Sequence, residues 1–170
     1  RARSFLQQAF DAHVALGERV RAAGVLGDLG EANRALGDFA KAISCHERAL
    51  RAQEALGDRA GVARTLGYLG IVRRALGDPT GALAYYERAL AIHDALGERG
   101  RVARTLVNIG NLHESSGEYV EALACHERAL AMQEALGDRA GAATTRLNLG
   151  NVCYALGEHA KALRCMEQVH

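Results

Sequence analysis

From Asp38 to Leu56 the apolar side chains fall three and four residues apart: Phe39, Ala42, Ile43, Ala49, Leu50 and Leu56, with His46 and Gln53 in the same phase. That spacing is the period of one helix face. Asp38 suits a helix N-terminus, where its carboxylate can accept from a free amide, and Gly57 suits the left-handed stop that closes a helix. The stretch from Ala60 to Leu76 reads as a second helix, with Leu66, Leu69, Gly70 and Arg73 along one face and Gly77 as its stop. Pro79, the single proline, follows Asp78 at the first position of the next expected helix, where its missing N–H costs nothing. The pattern predicts helices of roughly 15 to 18 residues, joined by turns of two or three residues reading Leu-Gly-Asp or Leu-Gly-Glu. Turns so short make consecutive helices antiparallel.

The same pattern returns every 40 residues. Cys45–Arg64 (CHERALRAQEALGDRAGVAR) and Cys125–Thr144 (CHERALAMQEALGDRAGAAT) agree at 16 of 20 positions, and YERALAIHDALGERG stands midway between them. Gly30, Gly70, Gly110 and Gly150 keep the period, as do Gly37 and Gly17 with their successors, and Ala42, Ala82, Ala122 and Ala162. A fixed period of this length marks a repeat array. It divides the chain into residues 1–17, the second helix of a truncated repeat; 18–57, 58–97 and 98–137, three full repeats; and 138–170, a partial one. The first residue is Arg, and both ends fall out of phase with the unit, so the chain is expected to be a fragment of a longer protein. Glycine inside a helix costs about 1 kcal/mol relative to Ala. Its recurrence at Gly70 and the equivalent places implies a close approach of the second helix of each pair, with the Ala42 series as the expected opposing small residues.

These marks resemble the tetratricopeptide repeat. In the second full unit the signature reads Leu66, Leu69, Gly70, Ala82, Tyr86, Ala89. The 40-residue length, the LGD turns and the Gly-Asn pairs are similar to the repeats of the LGN/Pins spindle-orientation proteins. They are more loosely similar to kinesin light chain, and long repeats of this kind also resemble those of bacterial signalling regulators. There are departures. The tyrosine usual in the first helix is replaced by Asn33, Arg73, His113 and Cys153, and the second-helix aromatic is His46 and His126 in two units. The resemblance implies an all-α fold, a right-handed superhelical solenoid of antiparallel helix pairs, in which the first helix of each pair lines a concave surface.

With the core phase assigned, the remaining phase gives the groove stripe. It reads Gly24, Asp28, Glu31, Ala35 in the first full unit; Arg64, Tyr68, Ile71, Ala75 in the second; Arg104, Asn108, Asn111, Ser115 in the third; and Thr144, Asn148, Asn151, Ala155 in the last. Arg34, Arg74, Glu114 and Tyr154 flank it. A carboxamide both donates and accepts, so a ladder of asparagines can read the N–H and C=O of an extended main chain. NIGN at Asn108–Asn111 and NLGN at Asn148–Asn151 also resemble the groove motif of LGN/Pins, whose grooves hold extended peptides. Arg64, Arg74 and Arg104 suit bidentate contact with carboxylates. The candidate peptide-binding residues are therefore Arg64, Tyr68, Arg74, Arg104, Asn108, Asn111, Asn148 and Asn151.

Composition narrows the partners. Lys and Arg number 21 against 20 Asp and Glu, a net charge of +1, which gives no electrostatic reason to expect nucleic acid or an anionic membrane. The apolar runs are far shorter than the roughly 20 residues of a membrane span. Of the 21 basic residues only Lys41 and Lys161 are lysine, a bias compatible with a GC-rich source. Cys45, Cys125 and Cys165 occupy equivalent places in different units, at least one repeat apart and beyond the reach of a disulfide. With Cys153 they read as small core fillers in a reducing, cytoplasmic setting. Cys45-His46 and Cys125-His126 are poor chelates, because adjacent helical residues point about 100° apart, and the third copy is Tyr85-Tyr86. No catalytic set, metal site or cofactor is expected.

The sequence therefore predicts a cytoplasmic scaffold or adaptor that holds an extended, partly acidic peptide in a groove. The alternatives are a structural module that self-associates through ends left apolar near Phe5, Phe10 and Val169, and a ligand-sensing region of a larger bacterial signalling regulator.

Overall fold

The computed structural model describes residues 2–167. The chain divides into two compact units, Arg1–Ile92 and His93–His170. In the first unit run α1 (Ala2–Ala15), α2 (Arg19–Ala35), α3 (Phe39–Leu56), α4 (Arg59–Ala75) and α5 (Pro79–Ala95), whose last turn belongs to the second unit. The second unit continues with α6 (Arg99–Ser115), α7 (Tyr119–Ala135), α8 (Arg139–Ala155) and α9 (His159–Glu167). Among the described residues all regular structure is helical, and no helix is long and apolar enough to cross a membrane.

One turn geometry serves every joint. Gly17, Gly37, Gly57, Gly77, Gly97, Gly117, Gly137 and Gly157 all have φ between 69° and 79°, a region where a Cβ is strained. The acidic residue that follows donates its N–H to the carbonyl five residues back, as from Asp58 to Gln53 at 2.9 Å and from Glu98 to His93 at 3.0 Å. The two acids then diverge. The short Asp38, Asp58, Asp78 and Asp138 carboxylates cap the next helix, accepting from the amides of Lys41, Gly61, Gly81 and Gly141. The longer Glu18, Glu98 and Glu118 reach backwards instead, each to a histidine Nδ1 at 2.6 Å: His13, His93 and His113.

In the first unit α2 packs on α1 and α3, α3 packs on α4, and α2 also touches α4. Its core includes Leu66, Leu69, Ala63, Val72, Tyr86 and Ala89, all fully buried, with Leu50, Tyr85 and Ile92 packed against Val62, Leu66 and Ala89. Each leucine so buried contributes about 2 kcal/mol by the area it removes from water. In the second unit α7 packs on α6 and α8, α9 packs on α8, and α6 touches α8. Val102, Leu106, Ile109, Leu112, Leu149 and Val152 fill that core.

Three expectations are corrected. The glycines within the first helices do make room for the second helix, and what a Cβ there would meet first is the side chain one turn after the Ala42 series, with Ala162 O also 3.6 Å from the Gly150 position. A Cβ on Gly30, Gly70 or Gly110 would come within 2.5 to 2.6 Å of His46, Tyr86 or His126, and one on Gly150 within 3.1 Å of Met166. The Ala42 series is buried all the same. Arg73, placed with the core stripe, is half-buried, with Nη1 3.6 Å from Asp78, because the guanidinium keeps its charge toward the turn. Of the ends, Phe5 is 69% exposed, whereas Phe10 is half-buried under the Arg48 guanidinium, 5.2 Å from the ring centroid. Val169 lies outside the described residues.

Candidate functional site

In the second unit the polar stripe of α6 faces that of α8. Asn108, Asn111 and Asn148 are half-buried, while Arg104 and Asn151 are exposed. Asn148 Nδ2 donates to Asn111 Oδ1 at 3.0 Å, joining residues 37 apart in sequence. Each carboxamide has two donor hydrogens and an acceptor oxygen. Whichever way round the two amides are turned, one bond between them leaves an N–H pair on one residue and a carbonyl oxygen on the other. Asn108 stands one turn before Asn111 on α6, and Asn151 one turn after Asn148 on α8.

Arg104 opens onto a separate hollow of about 720 Å³, shared with Arg99, Arg101, Gln133 and Leu136. Gln133 is 6% exposed and its Oε1 has no partner in the structure. His93 is tied to the hollow through Glu98, which lines it and lies 2.6 Å from the His93 Nδ1. Burial pushes its pKa below the usual histidine value against the pull of Glu98, and the charges of Arg101 and Arg104 add to the lowering. The acids at this rim are already engaged. Glu98 holds His93 and lies 3.6 Å from Arg101 Nε, and Asp138 caps α8. Arginine charge is therefore what the rim turns outward.

In the first unit Arg64 and Tyr68 are brought together. They line a hollow of about 280 Å³ with Asp28, Gln53 and Thr65 over Gly24 and Gly27. Buried Thr65 donates to buried Gln53 at 2.8 Å. The Tyr68 ring stacks on His46 with centroids 5.3 Å apart. Glu31 takes a fork of bonds from Arg34 at 3.0 and 3.1 Å, with His46 Nε2 at 3.6 Å. Burial alone would raise the Glu31 pKa, but these donors outweigh it and hold the carboxyl below its usual range. Arg74 is exposed and does not line this hollow. Its charge instead opposes the burial that pushes the Tyr86 hydroxyl upward.

Sequence reasoning missed three features. The buried Gln53–Thr65 bond joins a residue of the core phase to one that the pattern gives no role. The glutamate-to-histidine bonds do have a signal, a histidine five residues before Glu18, Glu98 and Glu118 that is absent before every Asp of the same turn. The Asn111–Asn148 bond has none, because its partners sit on helices two apart.

The tetratricopeptide repeat family model matches residues 21–95 and 101–170. A comparison with curated proteins gives no significant match. Among solved structures the chain is similar to BtubC (BKLC) from P. vanneervenii, with 29% identity and a TM-score of 0.82 over 89% of this chain and 63% of that one. It is similar to a putative kinesin light chain of Podosopora anserina with nearly identical TPR-like repeats, with 18% identity and a TM-score of 0.77 over 99% and 83% of the two chains. It is also similar to aspartyl phosphate phosphatase F from Bacillus subtilis, with 17% identity and a TM-score of 0.91 over 98% of this chain and 44% of that one. The chain thus spans less than two thirds of the first and last of these. With helix pairs joined by one turn geometry, a second-helix side chain seated against Gly30, Gly70, Gly110 and Gly150, and a family match along both units, the chain belongs to the tetratricopeptide repeat family, as an all-α solenoid of antiparallel helix pairs.

Proposed function

We propose that the chain is a protein-interaction scaffold that holds an extended peptide along its first helices, and that Asn111 and Asn148 read the peptide's main chain. The observation that carries this reading is the bond between those two side chains. It fixes both amides and leaves one free donor and one free acceptor side by side, the pattern that an extended backbone offers in return. Asn108 and Asn151 extend the polar track by one turn on each helix. Repeat arrays present their binding surfaces in this way, one stripe per repeat.

Peptide side chains would then be chosen by what flanks the track. Arg104, with Arg99 and Arg101 beside it, suits an acidic residue, because guanidinium groups pair with carboxylates in a fork. Arg64 and Tyr68 offer a smaller polar hollow in the first unit, and exposed Arg74 a further contact for an acidic side chain. A cytoplasmic adaptor is the role this reading fits.

The test is binding to an array of extended peptides of varied acidity, comparing the parent chain with Asn111→Ala plus Asn148→Ala. Loss of two hydrogen bonds should weaken capture at least about tenfold across the peptides that bind. Arg104→Ala should weaken only the acidic ones. Capture unchanged in the double variant removes the reading.

A further inference from the structure

Cys153 stands outside the series formed by Cys45, Cys125 and Cys165, and the fold gives it a partner. In the hairpin of α2 and α3, Asn33 and Cys45 face one another across the helices, with Asn33 Nδ2 3.8 Å from Cys45 Sγ. The equivalent residues of the α8 and α9 hairpin are Cys153 and Cys165, each 120 positions on. The two hairpins are built alike. The N–H after the turn glycine bonds the carbonyl five back, at 2.9 Å from Asp38 to Asn33 and 2.8 Å from Glu158 to Cys153. Gly37 and Gly157 share φ values of 76° and 79°, and Ala42 and Ala162 are both buried. The other second-helix positions of this series face something else: Tyr85 is opposite Arg73, and Cys125 is opposite His113. Only α8 and α9 carry sulfur on both sides.

A thiol is one bond shorter than the carboxamide it replaces, so closing the gap to an S–S length of about 2 Å requires χ1 rotation on both residues and a small approach of α9 to α8. The surroundings agree. Burial pushes the Cys153 thiol pKa upward, Lys161 opposes that, and the neighbouring Cys165 adds to it. Cys153 is fully buried, whereas Cys165 is part-exposed. Both are free thiols in the structure.

We propose that Cys153 and Cys165 form an oxidation site, which hydrogen peroxide converts to an intrachain disulfide tying α9 to α8. The accessible Cys165 reacts first. Its thiolate sulfur attacks one peroxide oxygen, the O–O bond breaks, and the departing hydroxide takes a proton to leave as water. Cys165 is then a sulfenic acid. The Cys153 sulfur attacks the Cys165 sulfur, the S–O bond breaks, and hydroxide leaves as a second water with the Cys153 proton. Two thiols are oxidised to one disulfide, and one peroxide is reduced to two waters. Dithiothreitol reverses the bond by exchange. Peptide recognition plays no part in this step, so neither proposal depends on the other.

The test treats the folded, fully reduced chain with one equivalent of hydrogen peroxide and digests it with trypsin without reduction. Mass spectrometry should find residues 147–161 joined to 165–170, two hydrogens lighter than the separate peptides, and dithiothreitol should part them. Circular dichroism confirms that the fold persists throughout. In Cys153→Ala, Cys165 should instead accumulate as a sulfenic acid that dimedone traps. Cys165→Ser, changed at a part-exposed position, should leave Cys153 unoxidised. A parent chain that gives dimedone-trapped Cys165 as abundantly as Cys153→Ala, or that links Cys165 only to a second chain, overturns the proposal.

Discussion

Three ring-bearing residues sit in one kind of slot, and the choice of ring sets how acid acts on it. Tyr86 lies against Gly70 with its charge state fixed over the working range, whereas His126 lies against Gly110 fully buried, with no hydrogen-bond partner at either ring nitrogen. Burial alone lowers its pKa from 6.5 to about 4. Above pH 6.5 the ring is neutral in both the folded and unfolded chain, and the full stability is present. As pH falls from 6.5 toward 4, the unfolded chain takes up the proton and the folded chain resists it, so stability is lost. The gap corresponds to about 3 kcal/mol at most. His126→Tyr, which copies Tyr86, should remove this part of the acid loss, read as a flatter urea midpoint between pH 7 and pH 4. An unchanged slope would place the sensitivity elsewhere. The sequence showed these glycines and the rings sixteen residues later as separate series. It did not show that they meet, because a period reports which residues are equivalent and not which are opposed.

Helix boundaries were legible almost to the residue, since each Leu-Gly-Asp or Leu-Gly-Glu turn combines a glycine that accepts positive φ with an acid at the next helix start. What went unread, although the histidine five residues before Glu18, Glu98 and Glu118 signals it, is that the two acids work in opposite directions. Aspartate bonds forward to the third amide of the next helix, and only the long Arg73 side chain comes back over the turn to one, Asp78; Glu18, Glu98 and Glu118 span the turn to histidine. The difference predicts unlike outcomes for equivalent changes. Asp58→Ala strips the cap from α4 and should cost about 1 kcal/mol in a denaturant melt. Glu98→Gln caps nothing less than before, because Glu98 makes no side-chain cap, but it removes the carboxylate that holds up the His93 pKa against burial and two arginines. His93 should then titrate at a lower pH than in the parent chain, by NMR of its ring protons. A rise would mean that Glu98 is not the group opposing burial.

Across the whole chain the repeat makes the two units alike in packing while leaving their polar stripes different. Asn111 and Asn148 of the second unit correspond to Glu31 and Tyr68 of the first, and there both side chains are already engaged, Glu31 with Arg34 and Tyr68 with His46. The stripe itself could be read from the phase left over by the core. Which of its members bond to each other could not, since that depends on side-chain length across neighbouring helices. Packing depends on neighbours too. In a repeat array each helix pair contacts only the next, so stability is a sum of local and nearest-neighbour contributions. Leu66 is fully buried beside Val62 and Ala89, and Leu66→Ala should cost about 3 kcal/mol through lost burial and the cavity left behind. Nearest-neighbour coupling sets where that loss appears. Amide hydrogen exchange should speed up in α3, α4 and the first turns of α5, while the amides of α8 around Leu149 and Val152 keep their protection. Faster exchange of equal size in α4 and α8 would mean that the array unfolds as one cooperative block, and that a lesion in any repeat is felt by all of them.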